Sequence, residues 1–68
     1  MRTSARNQLA GTVTSVTIGA VMAEVVVDVG GQQVVAAITK DSAEKLGLAK
    51  GGSVTAIIKA TDVMIGVE

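Results

Sequence analysis

The absence of aromatic residues constrains the fold of this chain more than any other feature of its sequence. Phe, Tyr and Trp do not occur, although 49% of the 68 residues are apolar. Aromatic side chains usually bury the most surface per residue, so the core must be built from Val, Ile, Leu and Ala. A chain of this length buries only about 60% of its unfolded surface. We therefore expect a single domain over residues 1–68 that is stable only as an oligomer.

Composition also argues against several functional classes. The chain has no Cys and no His, which removes disulfides and the usual metal ligands. Six basic residues balance six acidic ones, whereas a general polyanion binder depends on many Lys and Arg contacts. No run approaches the ~20 apolar residues of a membrane-spanning helix, and the N-terminus has no signal-peptide pattern. We expect a cytoplasmic protein without a membrane partner.

Val and Thr at short spacing predict β-strands in the first half of the chain. We expect strands at residues 9–18, 21–29 and 32–38, with the odd-numbered residues of the second strand sharing one face. The pair Gly30-Gly31 is typical of a two-residue hairpin turn. Gly11, near the start of the first strand, indicates a bulge or a close approach by another backbone.

The periodicity changes after the third strand. A short helix is favoured over residues 41–46, and Gly47 is a natural terminator. Thr39 and Asp41 compete as the N-cap of this helix. Two further strands are predicted, at residues 53–59 and 63–67. A helix between strands three and four is the arrangement of the OB fold.

Hydrogen-bond donors cluster at three points of the sequence. Residues 4–8 read Ser-Ala-Arg-Asn-Gln, and similar chemistry returns in Thr-Lys-Asp-Ser at 39–42 and in Lys-Ala-Thr at 59–61. A cluster rich in donors suits a small anion with oxygens on every side. Each segment also has a structural interpretation. In that interpretation, residues 4–8 are a solvated tail, residues 39–42 are a helix cap, and residues 59–61 are a strand end with an exposed lysine.

Taken in order, these segments resemble the molbindin family, the stand-alone molybdate- and tungstate-binding Mop proteins built from the transport-associated OB (TOBE) module. The resemblance includes Ala-Glu-Val at 23–25 and Ser-Ala-Glu-Lys-Leu-Gly-Leu at 42–48 as well as the three donor segments. It implies an all-β fold with one short helix, a five-stranded Greek-key OB barrel. It also implies a homo-oligomer, a hexamer arranged as a trimer of dimers. Its ligand would be molybdate or tungstate, bound between subunits for storage and homeostasis, with no other cofactor.

The resemblance further implies which residues bind the oxyanion. These are Ser4, Ala5, Arg6, Lys59, Ala60 and Thr61, with Thr39 and Ser42 supplied by a neighbouring subunit. Ser4 would donate through its hydroxyl and amide, and Lys59 would supply a point charge. Ala60 departs from members that carry Ser there, so only its backbone amide can donate. A second site near an oligomer axis would involve Gly19, Ala20 and Val21.

Two other functional classes compete with oxyanion binding. An OB-fold nucleic-acid-binding module uses aromatic stacking platforms and a basic groove, and this sequence has neither aromatics nor net charge. An oligomerisation module without a ligand is the other alternative. The sequence predicts no enzyme, because the usual nucleophile and metal ligands and the phosphate-binding loop are missing.

Overall fold

Four antiparallel strands and one short helix make up the fold in the computed structural model, which describes all residues from 1 to 68. A short 3-10 turn follows the last strand. The elements are β1 (Asn7–Ile18), β2 (Met22–Val29), β3 (Gln32–Thr39), α1 (Lys40–Lys45), β4 (Ser53–Ile58) and the turn Ala60–Asp62. The strand order in the sheet is β3-β2-β1-β4. The predicted all-β class with one short helix is confirmed.

The long strand β1 organises the sheet, because it pairs with two neighbours. Its C-terminal part pairs with β2 and its N-terminal part with β4. The register against β2 shifts between Val13 and Ser15, which marks a bulge that bends the strand. This bulge explains why Val13 and Val16, three positions apart, both pack in the same core.

Gly11 lies where the backbone of β2 comes close to that of β1. A Cβ atom at this position would lie 2.4 Å from the carbonyl oxygen of Asp28 and 2.7 Å from a methyl carbon of Val27. Cβ atoms essentially never come within 3.0 Å of such atoms, so only glycine fits without a backbone shift. The prediction of a close approach at Gly11 is confirmed, and the bulge lies further along the strand.

The pair Gly30-Gly31 connects β2 to β3 by a two-residue turn. Val29 pairs with Gln32 across the turn, and φ is +57° at Gly30 and +87° at Gly31. Positive φ at both central residues is the requirement of a type I′ turn, whose twist matches that of the two strands. The predicted hairpin is confirmed.

The core is small and aliphatic. Only six of the 68 residues are buried, namely Ala5, Val13, Ala23, Val25, Val27 and Ala43. Three of them alternate along β2, on the face that the sequence pattern predicts. Eleven large apolar side chains remain exposed, which is a high number for so short a chain. The single chain therefore leaves much of its apolar surface uncovered.

The helix α1 begins at a side-chain cap. Thr39 Oγ1 accepts a hydrogen bond from the Ser42 backbone N–H at 3.0 Å. Of the two candidate N-caps, Thr39 is therefore the cap, and Asp41 lies in the first turn of the helix. Capping bonds of this kind satisfy one of the free amide groups at a helix start.

The helix ends in a Schellman motif. The Leu48 N–H donates to the Ala43 carbonyl at 3.2 Å, and the Gly47 N–H donates to the Glu44 carbonyl at 3.0 Å. Gly47 has φ of +64°, the left-handed conformation that this motif places at its C′ residue. The prediction that Gly47 ends the helix is confirmed.

The strand predicted at residues 63–67 is wrong for the single chain. No strand follows the turn Ala60–Asp62, and Met64, Ile65 and Val67 are 92%, 88% and 93% exposed. A strand needs a neighbouring backbone as its hydrogen-bond partner, and no strand of the same chain pairs with this segment. The single chain therefore forms four of the five predicted strands, in a sheet whose edges are β3 and β4.

Candidate functional site

Two of the predicted oxyanion-binding segments lie side by side at one end of the sheet. Asn7 pairs with Ile58 in the ladder between β1 and β4. Residues 4–6 directly precede Asn7, and residues 59–61 directly follow Ile58. Because paired antiparallel residues lie only about 5 Å apart, the ladder brings the two segments to the same edge. We call this region, residues 4–6 with residues 59–61, the β1–β4 end.

Two carboxamides hold the β1–β4 end together. Asn7 Nδ2 donates to the Ile58 carbonyl oxygen at 3.2 Å, and Gln8 Nε2 donates to the Ala5 carbonyl oxygen at 3.3 Å. Asn7 and Gln8 belong to the donor-rich run of the sequence but not to the predicted binding residues. The structure gives them a positioning role, for which their place in that run is the only sequence signal.

Ala5 anchors the N-terminal segment against the fold. Its side chain is buried, and its N–H donates to Thr3 Oγ1 at 3.2 Å. Ser4 and Arg6, on either side of it, are exposed. The small buried Ala5 therefore fixes the backbone while its two polar neighbours project into solvent, where an anion can reach them.

Lys59 begins the 3-10 turn that completes this end. Its carbonyl oxygen accepts a hydrogen bond from the Asp62 N–H at 2.9 Å, and its side chain is exposed. The first amide groups of a helical turn have no partner inside the turn. The amides of Ala60 and Thr61 occupy these positions, directly after Lys59 in the chain.

Positive charge at the β1–β4 end is not neutralised within the chain. Both ion pairs of the structure join residues of α1, at N–O distances of 3.0 and 3.9 Å. Arg6 and Lys59 take part in neither, and Asp62 pairs with neither of them. An anion that approaches this end therefore meets two free cations, an arrangement that favours charge-assisted hydrogen bonds.

The remaining predicted binding residues, Thr39 and Ser42, lie at the start of α1. Thr39 Oγ1 donates to Ser42 Oγ at 2.7 Å while it accepts the Ser42 N–H. Because Ser42 Oγ is the acceptor in this pair, its own hydroxyl hydrogen stays free to donate elsewhere. Capping and ligand binding are thus compatible at these two exposed residues.

The implied second site adjoins this cap. The Lys40 N–H donates to the Val21 carbonyl oxygen at 2.7 Å, which ties the turn at 19–21 to the start of α1. An open depression of about 490 Å³ is lined by Ala20, Val21, Thr39, Lys40, Asp41 and Glu44. We call residues 19–21 with Thr39 and Ser42 the helix-cap end. The depression also exposes the carboxylates of Asp41 and Glu44 and the amine of Lys40, none of which is a predicted site residue.

The β1–β4 end and the helix-cap end lie at opposite ends of β1. The first adjoins Asn7, where β1 begins. The second adjoins the other end of β1, because Thr39 pairs with Met22 of β2 and the following residue, Ala23, pairs with Ile18, where β1 ends. The strand β1 has twelve residues, and each residue adds about 3.3 Å along an extended strand. One chain therefore gathers the eight predicted residues into two separate groups, with Thr39 and Ser42 remote from the other six.

No group of three or more His, Cys, Asp or Glu side chains is placed to hold a metal ion. None of the helices has the length and apolar composition needed to cross a membrane. Every buried side-chain nitrogen or oxygen atom has a hydrogen-bond partner.

Comparison with known proteins identifies the family. Residues 3–65 match the family model described as the TOBE domain. The chain is 53% identical over 66 residues to molybdenum-pterin-binding protein 3 of Clostridium pasteurianum, an alignment that covers 96% of this chain and 97% of that protein. The relatives of this kind are named as binding proteins rather than as enzymes.

Solved structures agree with this match. A molybdate-binding protein from Sporomusa ovata is 45% identical, with a TM-score of 0.93 over 98% of this chain and 100% of that one. The cytoplasmic molybdate-binding protein ModG, solved with molybdate bound, is 45% identical, with a TM-score of 0.94 over 100% of this chain and 49% of that one. The resemblance to the molbindins is confirmed, and the chain belongs to the TOBE domain family.

Proposed function

We propose that this protein binds molybdate or tungstate as the free oxyanion and serves in storage and homeostasis of that ion in the cytoplasm. Similar proteins named for binding molybdate or a molybdenum-pterin support the ligand. The description of ModG as cytoplasmic supports the location. Binding without catalysis is the activity that we assign, in keeping with the names of the relatives.

The observation that carries this proposal is the pairing of Asn7 with Ile58. It joins two donor segments from opposite ends of the sequence at one edge, where Arg6 and Lys59 have no carboxylate partner. A tetrahedral dianion needs donors from several directions and is repelled by carboxylates. The β1–β4 end meets both requirements in part, with hydroxyl, amide and ammonium donors around one edge.

Each residue of the β1–β4 end has an assigned role. Ser4 donates through its hydroxyl and amide, and Arg6 donates chiefly through its amide with its charge nearby. Lys59 contributes the principal side-chain cation. Ala60 donates only through its backbone, so the hydroxyl contact in this segment comes from Thr61.

A complete site needs a second chain in this proposal. Thr39 and Ser42 lie at the far end of β1 from Lys59, so a neighbouring copy supplies them to the β1–β4 end. The eight residues then surround one oxyanion at a subunit interface. We assign the assembly as a hexamer arranged as a trimer of dimers, as the resemblance to molbindins implies, and place the second class of site at residues 19–21.

Free oxyanion fits these residues better than a pterin or a nucleic acid. Both of those ligands present flat aromatic rings, which proteins commonly hold by stacking on aromatic side chains. This sequence contains no aromatic residue. Short donors at a strand edge suit a compact ion instead, so the simple molybdate ion is the ligand that we propose.

Equilibrium dialysis tests the function directly. The protein is dialysed against molybdate, sulfate and a single-stranded oligonucleotide in separate chambers, and the bound ligand is measured. We expect saturable uptake of molybdate, little uptake of sulfate and none of the oligonucleotide. Uptake of the oligonucleotide alone would favour the nucleic-acid alternative, and no uptake of any ligand would favour a module with only a role in assembly.

A further inference from the structure

Two backbone carbonyl groups at the β1–β4 end accept hydrogen bonds from side-chain amides. Asn7 Nδ2 donates to the Ile58 carbonyl oxygen at 3.2 Å, and Gln8 Nε2 donates to the Ala5 carbonyl oxygen at 3.3 Å. Consecutive residues of a strand point to opposite faces, so the two carboxamides lie on opposite faces of the sheet. Together they hold one carbonyl group in each of the two segments that meet at this end.

The backbone amides of the same two segments are mostly unpaired. Of residues 4–6, only Ala5 donates its N–H within the chain, to Thr3 Oγ1 at 3.2 Å. In the turn after β4, the hydrogen bonds run backwards, as from the Asp62 N–H to the Lys59 carbonyl oxygen at 2.9 Å. The N–H groups that have no partner in the chain are those of Ser4, Arg6, Lys59, Ala60 and Thr61.

A carbonyl group that is held in place fixes the direction of the amide that follows it. Across a trans peptide, the C=O of one residue and the N–H of the next lie in one plane and point in opposite directions. Gln8 holds the carbonyl of Ala5, so it also sets the direction of the Arg6 N–H. In the same way, Asn7 sets the direction of the Lys59 N–H. Each carboxamide therefore controls the amide of one cationic residue.

The direction of these two peptide units decides what an anion meets at the β1–β4 end. A peptide unit that turned over would present its carbonyl oxygen, which repels an anion, in place of its N–H group. Turning over would also break the hydrogen bond to Asn7 or Gln8. Successive N–H groups held in one direction form a concave site of the kind that binds anions. Arg6 and Lys59, which take part in no ion pair, add positive charge to it.

We propose that Asn7 and Gln8 are positioning residues of the oxyanion site, each of which holds one peptide unit so that its N–H faces the ion. This inference rests on the proposed function, because it concerns how the same site reaches its affinity. Neither carboxamide contacts the ion in this arrangement. They act through Arg6 and Lys59, whose amides are oriented before the ion arrives, so that less conformational freedom is lost on binding.

The first test follows the two amides separately by NMR of ¹⁵N-labelled protein at saturating sodium molybdate. Gln8→Met and Asn7→Leu each remove a side-chain donor and keep a side chain of similar size. We expect Gln8→Met to reduce the molybdate-induced shift of the Arg6 N–H signal and to leave that of Lys59 unchanged. Asn7→Leu should have the opposite effect. Equal loss of both responses in each variant, or loss of neither, would overturn the proposal, because general loosening of the edge does not distinguish the two amides.

The second test measures affinity against a matched control. Gln33 is exposed on β3, away from this end, so Gln33→Met makes the same chemical change outside the site. In calorimetric titration with molybdate, we expect Gln8→Met and Asn7→Leu to bind about threefold to tenfold more weakly than the wild type. Gln33→Met should bind like the wild type. Thermal melts without molybdate are the folding control, and the exposed Gln8 decides the question alone if Asn7→Leu does not fold.

Wild-type protein in both experiments separates this inference from the proposed function. If the wild type shows neither an amide shift nor a heat of binding with molybdate, the proposed function fails, and the positioning role fails with it. If the wild type binds molybdate and folded Gln8→Met matches it in affinity and in the Arg6 shift, the proposed function stands and the positioning role is wrong.

Discussion

At the scale of single residues, Lys59 best separates a structural from a functional interpretation. A lysine at the end of an apolar strand is ordinarily a solvated residue that discourages edge-to-edge aggregation. Here it is exposed, it has no acidic partner, and the pairing of Asn7 with Ile58 sets it beside Ser4 and Arg6. From the sequence, only the resemblance to the molbindins indicated that Lys59 binds the ligand. Residues 6 and 59 are far apart in the chain and are brought together by the fold.

Removing the Lys59 amine should weaken binding far more than folding. Lys59→Ala deletes a charge-assisted hydrogen bond to a dianion, worth roughly 1.5–3 kcal/mol, so affinity for molybdate should fall about tenfold to over a hundredfold. Calorimetric titration of wild type and variant gives this ratio. Thermal melts without ligand are the control, and stability should change by no more than about 0.5 kcal/mol.

Lys59→Arg tests whether a positive charge at this position is sufficient for binding. Lys59→Arg keeps the charge but replaces a point donor with a planar fork, which fits a compact tetrahedral ion differently. We expect only partial recovery of affinity relative to Lys59→Ala. Unchanged affinity in a well-folded Lys59→Ala protein would mean that Lys59 is only a solvated residue at a strand end.

At the scale of elements, sequence patterns predicted what depends on neighbours along the chain. The hairpin at Gly30-Gly31 and the end of α1 at Gly47 follow from local backbone requirements, so both were predictable. The choice of Thr39 over Asp41 as the cap was open in the sequence, because both residue types suit that position. The structure decides it through the hydrogen bond that Thr39 Oγ1 accepts from the Ser42 N–H.

Whether residues 63–67 form a strand could not be predicted from neighbours along the chain. Alternation of Val63, Ile65 and Val67 correctly indicates a segment with an apolar face, but pairing requires a partner edge that the pattern does not name. The grouping of the predicted site residues could not be predicted from the sequence pattern for the same reason. Ladder register, which is a property of the whole sheet, places Lys59 beside Arg6 and leaves Thr39 at the far end of β1.

Substitutions of Thr39 separate its capping role from its role toward the ligand. Thr39→Asn and Thr39→Asp both retain a good N-cap, so melting temperatures should stay close to that of the wild type. The carboxylate of Thr39→Asp, however, would face the oxyanion across the interface. We expect molybdate affinity to fall at least about tenfold more for Thr39→Asp than for Thr39→Asn. Titrations that give the two variants equal affinity would exclude Thr39 from the site.

Gly11 is the single glycine within a strand of the sheet, and an added methyl group there should destabilise the fold. In Gly11→Ala, the new Cβ meets the Asp28 carbonyl oxygen at 2.4 Å, so β1 and β2 must separate. Overpacking of this kind costs about 1–3 kcal/mol, or a fall in melting temperature of roughly 4–8 °C per kcal/mol for a domain of this size. Thr12→Ala, at the exposed neighbouring position, is the matched control and should melt close to the wild type.

At the scale of the whole molecule, the main property of the single chain is that its apolar surface is incompletely buried. Only six residues of the single chain are buried, and an apolar groove of about 430 Å³ lies open between the edge strands β3 and β4. The two groups of predicted site residues lie at opposite ends of β1. Association of several copies would cover the groove and bring the two groups together. In the proposed oligomer, both the core and the site would be complete.

Assembly should be detectable without any ligand. Sedimentation equilibrium at low micromolar protein should give a mass well above that of one 6.8 kDa chain, with no folded monomer. A core of this size gives a lone chain only marginal stability. A stable, folded monomer at these concentrations would refute the dependence of this fold on association.

The assembled site should also discriminate between oxyanions by size. Donors fixed by strand ends and helix caps cannot contract around the smaller sulfate ion without losing hydrogen bonds, and each lost bond costs roughly 1–3 kcal/mol. Competition titration should therefore show that sulfate displaces molybdate only in large excess. Displacement at comparable concentrations would mean that the donors are not held in fixed positions.

The most direct test of a site shared between chains is complementation of two damaged sites. Chains carrying Lys59→Ala and chains carrying Thr39→Asp are co-expressed in equal amounts, and molybdate is titrated into the mixed oligomer. If Lys59 and Thr39 of each site come from different chains, random assembly restores about one site in four to full affinity. Each variant alone provides the baseline without high-affinity sites. Recovery of about a quarter of the wild-type sites is the result that we predict, and a mixed oligomer with no high-affinity sites would contradict it.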